Sequence, residues 1–224
     1  MRLFFVLLFA SLLFAGAANA IINATLGSEI KSRWTGTSGA ASSVTEGGNI
    51  TYVNISGATQ LTSKWASFYG LIQSATIALR SSTATVYSWS YSPANGSGEV
   101  CLSSSNSFPG PITSLTGANL SAMNSLWNLG TIDNATNTFN TTSSINISGQ
   151  VVSGAPAAKL QGSSTFTVVA LFNSTTSSKN AFAFCTQINN SGKNFQNSDV
   201  HYEIMVPTTP GAAETYYFYL ELDT

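Results

Sequence analysis

From Gly48 onward the apolar residues of this chain come in short runs, each closed by Gly, Asn or Ser. Runs that short cannot sustain helices and suit strands separated by tight turns. The predicted strands are 49–56, 75–80, 85–91, 99–102, 145–149, 165–172, 181–188, 200–206 and 216–222. Segments 75–80 and 85–91 pair as a hairpin across Ser81 to Ala84, with Tyr87, Trp89 and Tyr91 on one face and Ser88 and Ser90 on the other. Two stretches read as helix. Leu120, Met123, Leu126 and Trp127 recur at helical spacing within Ala118–Leu129, and Gly130 stops them. Residues 64–70 read as one or two turns between a Thr62 or Ser63 cap and Gly70. The expected fold is mainly β: an antiparallel β-sandwich, jelly-roll or Ig-like, with one or two short helices.

The amino terminus carries an address. Met1-Arg2 is a short positive region, Leu3 to Ala15 is apolar apart from Ser11, and Ala18-Asn19-Ala20 is a small-x-small cleavage site. The apolar run, about 13 residues, falls short of the roughly 20 that a spanning helix needs. Residues 1–20 therefore read as a Sec-type signal peptide, 21–48 as an N-terminal arm and 49–224 as the β-sandwich domain. The arm is rich in Gly and Ser, and reads either as a flexible leader or as a segment that orders on a neighbour. The carboxyl terminus ends in Leu220-Glu-Leu-Asp-Thr224 without an apolar 20-mer, so no membrane span is expected after cleavage. The product is expected outside the cell or on its surface.

Ten Asn-x-Ser/Thr sequons strengthen that placement: Asn23, Asn49, Asn54, Asn95, Asn119, Asn134, Asn140, Asn146, Asn173 and Asn189. Each accepts N-linked glycan where an oligosaccharyltransferase can reach it. With 8 basic and 9 acidic residues, the chain must draw its hydrophilicity from Ser, Thr, Asn and sugar. With most sequons occupied, the sequon-free tract from Asn190 to Thr224, with its aromatic terminal strand, reads as the contact surface. Cys101 and Cys185 are the two cysteines, most simply one disulfide in an oxidising compartment.

The residues offer no catalytic set. His201 is the one histidine, and strand alternation puts it with Glu203 and Met205 on the more solvated face. No Gly-x-Ser-x-Gly elbow or phosphate loop occurs, and the acids show no spacing that marks a glycosidase pair or a calcium loop. The expectation is no enzyme, no cofactor and no metal site. Nucleic acid is disfavoured by the balance of charge. Core packing is the expected role of Tyr87, Trp89 and Tyr91, with a sugar-stacking platform as the alternative. Tyr216-Tyr-Phe-Tyr219 must occupy both faces of one strand, which needs cover on both sides.

Five segments, Lys64-Trp-Ala-Ser-Phe-Tyr-Gly70, Tyr87-Ser-Trp-Ser90, Gly98-Glu-Val-Cys101, Phe184-Cys-Thr-Gln-Ile188 and Tyr202-Glu-Ile-Met-Val-Pro207, resemble a set found in secreted archaeal surface proteins. More loosely, a secreted, sequon-rich β protein is similar to archaeal thread and bundling-pilus subunits. That resemblance implies a β domain completed by a strand from the next subunit, with Ile21 to Val44 as donor and Tyr216–Leu222 as its neighbour. The implied function is a non-enzymatic, self-assembling subunit of a cell-surface filament. A surface coat or S-layer protein and a secreted carbohydrate-binding or adhesin module are the alternatives. Protein recovered from its native host should begin at Ile21 and lose mass on deglycosylation. Peptide mass mapping checks both, and an intact Met1 or bare asparagines throughout would refute them.

Overall fold

The computed structural model describes residues 22–23, 62–73, 75–92, 97–160, 166–173 and 177–223. The strand expected at 49–56 and the sequons Asn49, Asn54 and Asn95 lie outside the described residues, as do the signal segment and all of the arm but Ile22 and Asn23. The strands are β1 (Ile22–Asn23), β2 (Trp65–Gly70), β3 (Ala75–Arg80), β4 (Thr85–Tyr91), β5 (Ser97–Ser103), β6 (Ile112–Ser114), β7 (Thr141–Ile147), β8 (Gln150–Lys159), β9 (Thr167–Asn173), β10 (Phe182–Gln187), β11 (Tyr202–Pro207) and β12 (Tyr217–Asp223). Helix α1 spans Gly117–Leu126 and the one-turn α2 spans Ala135–Thr138. The principal sheet runs β1-β12-β5-β10-β9-β8-β7, and β6 also pairs with β9. Every pairing is antiparallel, so the chain is mainly β and sandwich-like, as expected.

Alternation along the central strands sorts side chains into two cores. Val100, Leu102, Val168, Ala170, Phe182 and Phe184 enter one, beneath α1, α2 and the β2–β11 ribbon. Trp127 is its pivot, fully buried and edge-on to Phe182 at 5.5 Å and Phe184 at 6.3 Å. Such rings contribute area and a preferred geometry together. Cys101, Val169, Leu171, Ala183 and Cys185 enter the other core, where Ile145, Ile147, Val152, Ala155 and Ala157 of the β7–β8 hairpin meet them. Ala155, Ala157 and Ala183 are fully buried, and their small side chains let this second layer lie close.

Helix α1 starts where its sequence provides a cap. Thr116 Oγ1 accepts from Asn119 N, while Asn119 Oδ1 accepts from Thr116 N, satisfying two end donors reciprocally. Leu120 and Met123 are buried as their spacing predicts. The helix ends at Leu126, before Gly130, because Asn128 adopts a φ of 50° that Asn tolerates better than most residues.

Two expectations need correction. Residues 65–70 form a strand rather than helical turns, because β11 pairs with them along their whole length, from Trp65–Pro207 to Gly70–Tyr202. Trp65 and Phe68 thereby reach the first core, and Phe68 meets Phe218 at 5.3 Å. Tertiary pairing outweighs local cap signals here. The hairpin β3–β4 forms as expected but is a separate two-stranded sheet, and Tyr87 is 61% exposed on it rather than in the core. Strand β8, helix α2 and the short β6 lie in stretches where no element was expected.

Cys101 and Cys185 are cross-strand partners in the β5–β10 register and are joined in a disulfide, with Cα atoms 4.1 Å apart. They lie 84 residues apart in sequence, so the bond removes a large amount of chain entropy from the unfolded state. Cys101→Ala/Cys185→Ala should lower unfolding free energy by roughly 4 kcal/mol in the chain-entropy model. Guanidinium denaturation measures it, and an unchanged midpoint would show that the two cores hold the sheet without the cross-link.

Candidate functional site: the edge of the terminal strand

Strand β12 begins where a cluster of polar side chains fixes the approach of the chain. Lys179 Nζ lies 2.5 Å from Glu214 Oε1 and 2.9 Å from Thr209 Oγ1, and sits over the Trp127 ring. Burial works against the charge on Glu214, yet hydrogen bonds from Lys179 and Thr209 hold its carboxyl below the usual range. Tyr216 donates its hydroxyl to Pro207 O at 2.6 Å. Burial, with the nearby Glu214 charge, pushes this phenol far above its ordinary value, so it stays a donor.

From there β12 pairs with β5 over its full length, Tyr217–Ser103 to Asp223–Ser97. Its side chains alternate as the consecutive aromatics require. Phe218, Leu220 and Leu222 pack against the first core, while Tyr219 is buried against the second, edge-on to Phe108 at 5.2 Å. The Tyr219 hydroxyl donates to Ser105 O at 2.7 Å. Gly98 is required beneath this strand: a Cβ there would sit 2.1 Å from Glu221 O, and its φ of 134° disfavours any other residue.

The outer side of β12 is the edge of the sheet. Ile22 and Asn23 occupy part of it as β1, opposite Leu220 and Tyr219. No other described strand pairs there. The segment just past the predicted cleavage site thus meets the terminal strand of its own chain. Tyr217, earlier on the same edge strand, is 40% exposed.

Glu99 and Glu221 are direct cross-strand partners, each 4% exposed. Both carboxylate oxygens of Glu221 accept from Ser148 N, at 2.9 and 2.7 Å, which ties the β7–β8 turn to the edge strand. Sequence spacing could not reveal the pair, since only the sheet register brings it together. Its burial denies it the open, water-bearing cleft that a glycosidase pair needs. Among the described residues, no group of three His, Cys, Asp or Glu gathers as a metal site.

His201 is half-buried, and its Nδ1 accepts from Ile72 N at 3.0 Å, a structural bond between the strand end and the chain after β2. Glu203 departs from the expected solvated face. It is 2% exposed, because residues 192–199 fold over β11 and Phe195 N approaches its Oε1 at 3.5 Å.

The six sequon asparagines within the longer described segments differ sharply. Asn140 and Asn146 are exposed. Asn119 is half-buried at the start of α1, and Asn134 caps α2 by accepting from Asn137 N at 2.8 Å. Asn189 is also half-buried, its Oδ1 accepting from Ser191 N at 3.0 Å. Asn173 is 8% exposed, and its Nδ2, the atom a sugar would join, donates to Gly110 O at 2.9 Å. Asn23 lies in β1 opposite Tyr219.

Comparison with protein-family models, curated proteins and solved structures finds no match for this chain.

The buried acid gives a signed pH test. Burial raises the Glu203 pKa above 4.5, with Phe195 N–H opposing it weakly, so the native state binds this proton more tightly than the unfolded state. The stability it contributes is present below the unfolded value and is lost as pH rises through the folded one. Glu203→Gln should therefore raise Tm at neutral pH, by about 2–4 °C for each kcal/mol recovered in a domain of this size. At acid pH the variant should match the parent. Calorimetry across pH checks this, and a lower neutral Tm for the variant would show that the carboxylate is needed in its charged form.

Proposed function

We propose that this chain is a self-assembling structural subunit of an extracellular filament, N-glycosylated at its exposed sequons and joined to its neighbours along the β12 edge. One observation carries the reading: the segment following the predicted signal peptide pairs, through Ile22 and Asn23, with the edge strand of the principal sheet. A sheet edge offers unpaired backbone donors and acceptors, and an added strand satisfies them while its alternate side chains fill pockets. The same two elements can meet within one molecule or between successive copies. When they meet between copies, the contact is head-to-tail and propagates unless its rotation closes a ring.

The signal peptide, the density of sequons and the two-sided packing of β12 support the same reading. Packing on both faces keeps the acceptor strand in place whether or not its outer edge is filled. Sugars at Asn140 and Asn146 would keep the β7 side of the molecule from joining.

Deleting residues 21–44 should abolish polymers and leave a folded monomer with the Cys101–Cys185 bond intact. Electron microscopy with circular dichroism reads both. Assembly unchanged by the deletion would sink the arm-to-edge contact, and a native protein that is a monodisperse monomer would sink the filament itself.

A further inference from the structure

Given the N-glycosylation proposed for the chain, we infer that a hollow between α1 and β9 is the seat of the first sugar of a glycan on Asn119. This glycan then packs against the protein rather than standing in solvent. Asn119, Ala122 and Leu126 recur at helical spacing and share one flank of α1, while Phe172 comes from β9 across the gap. The space between them is about 260 Å³. A water in the liquid fills about 30 Å³, so the hollow has the volume of about eight or nine waters. Bonded atoms pack closer than waters, which makes it room for about one hexose ring.

The residues around the hollow have surface to offer. Ala122, Ser125 and Ser177 are exposed, and Asn119, Leu126 and Phe172 are half-buried. None of these residues is charged, which leaves an ionic occupant without a counter-charge. An aliphatic and aromatic wall with hydroxyl groups beside it suits a pyranose, which has an apolar C–H face and polar edges. Covering that wall with such a face removes apolar surface from water.

The chemistry of Asn119 decides the occupant. Its Oδ1 accepts from Thr116 N and from Thr116 Oγ1, both at 2.8 Å, and among the described residues nothing accepts from its Nδ2. Asn134 and Asn173 differ, since their Nδ2 atoms donate to Thr131 O and Gly110 O. Glycan transfer forms a bond from Nδ2 to the anomeric carbon of a lipid-phosphate-linked donor. It breaks that carbon's bond to the phosphate oxygen, which leaves with the electron pair, and releases one Nδ2 proton. Oδ1 keeps its lone pairs, so the helix cap and the sugar coexist. The linked ring starts at the mouth of a hollow of about its own size, at a local concentration that no free sugar would reach.

The test compares the full chain from its native host with the same chain from a bacterial host that adds no sugar. Ser121→Ala removes the sequon but keeps Asn119 and its cap, while Ala122→Arg fills the hollow from an exposed position and keeps the sequon. Peptide mass mapping should find Asn119 occupied in the native parent and in native Ala122→Arg. Native Ser121→Ala and native Ala122→Arg should each melt about 2–4 °C below the native parent. Neither substitution should lower Tm in the bare proteins. Native Asn140→Gln, which strips sugar from an exposed site, should keep the parental Tm. Proton NMR of the glycoprotein should show contacts between the Phe172 ring and the first sugar on Asn119, lost in Ala122→Arg. Sugar on Asn140 and Asn146 beside a bare Asn119 would overturn the seat and leave glycosylation standing. Bare asparagines throughout would overturn glycosylation and the seat with it. An occupied Asn119 whose sugar adds no stability, or makes no contact with Phe172, would overturn the seat alone.

Discussion

Strands β5 and β10 face each other residue for residue, from Ala183–Ser103 to Gln187–Glu99, and a covalent bond joins the middle of the ladder. Every larger packing relation is arranged around that pair. Its one face presents Val100, Leu102, Phe182 and Phe184 to the helices, and its other face presents Cys101, Ala183 and Cys185 to the β7–β8 layer. The outer side of β5 is the template for β12, and the outer side of β10 is the template for β9. A one-residue slip in this ladder would exchange the two cores, placing aromatic rings where small residues now allow close layers. The disulfide forbids the slip, so it fixes register as well as limiting chain freedom.

How much of this was legible in the sequence depended on whether the deciding signal was local. Phe182 and Phe184 alternate with Ala183 and Cys185, so strand and faces could be read from one segment, while the cystine followed from the chain having two cysteines. The α1 stripe of Leu120, Met123 and Trp127 was equally plain. Residues 65–70 misled because Thr62 and Gly70 look like caps, while the partner that makes them a strand lies at 202–207. Strand β8 was hidden by Gly154 and Pro156, residues that punctuate most strands. They are tolerated because Gly154, at a φ of 64°, lies in the bulge between Ser143–Ala155 and Ile145–Val152, and Pro156 precedes the β8–β9 ladder, which begins at Ala157–Val169. The edge was half legible: consecutive aromatics at 216–219 demanded cover on two faces, but nothing local said that Ile22 and Asn23 would lie beside them.

Acids show the same limit in electrostatic form. Glu99, Glu203 and Glu221 are all at most 4% exposed in a chain with 9 acids, and sequence alternation placed Glu203 toward solvent. Period-two reasoning finds the two faces of a strand but does not know which loops return to cover them. Here the chain from Gly192 to Asp199 folds back on itself, with Asn194 N donating to Ser198 O at 3.0 Å, and converts an outer face into an inner one.

The buried amide of Asn173 has a further consequence, for timing. Its nitrogen donates to the Gly110 carbonyl in a side chain only 8% exposed, so the native sheet leaves a sugar no room there. A transferase that meets the chain before it folds sees this asparagine as an ordinary acceptor; one that meets it afterwards finds a closed door. Sugar on Asn173 would therefore mark molecules modified too early to complete β9 and its contact with the Gly110 turn. The fraction of secreted chains carrying it becomes a clock, recording whether folding or glycosylation came first.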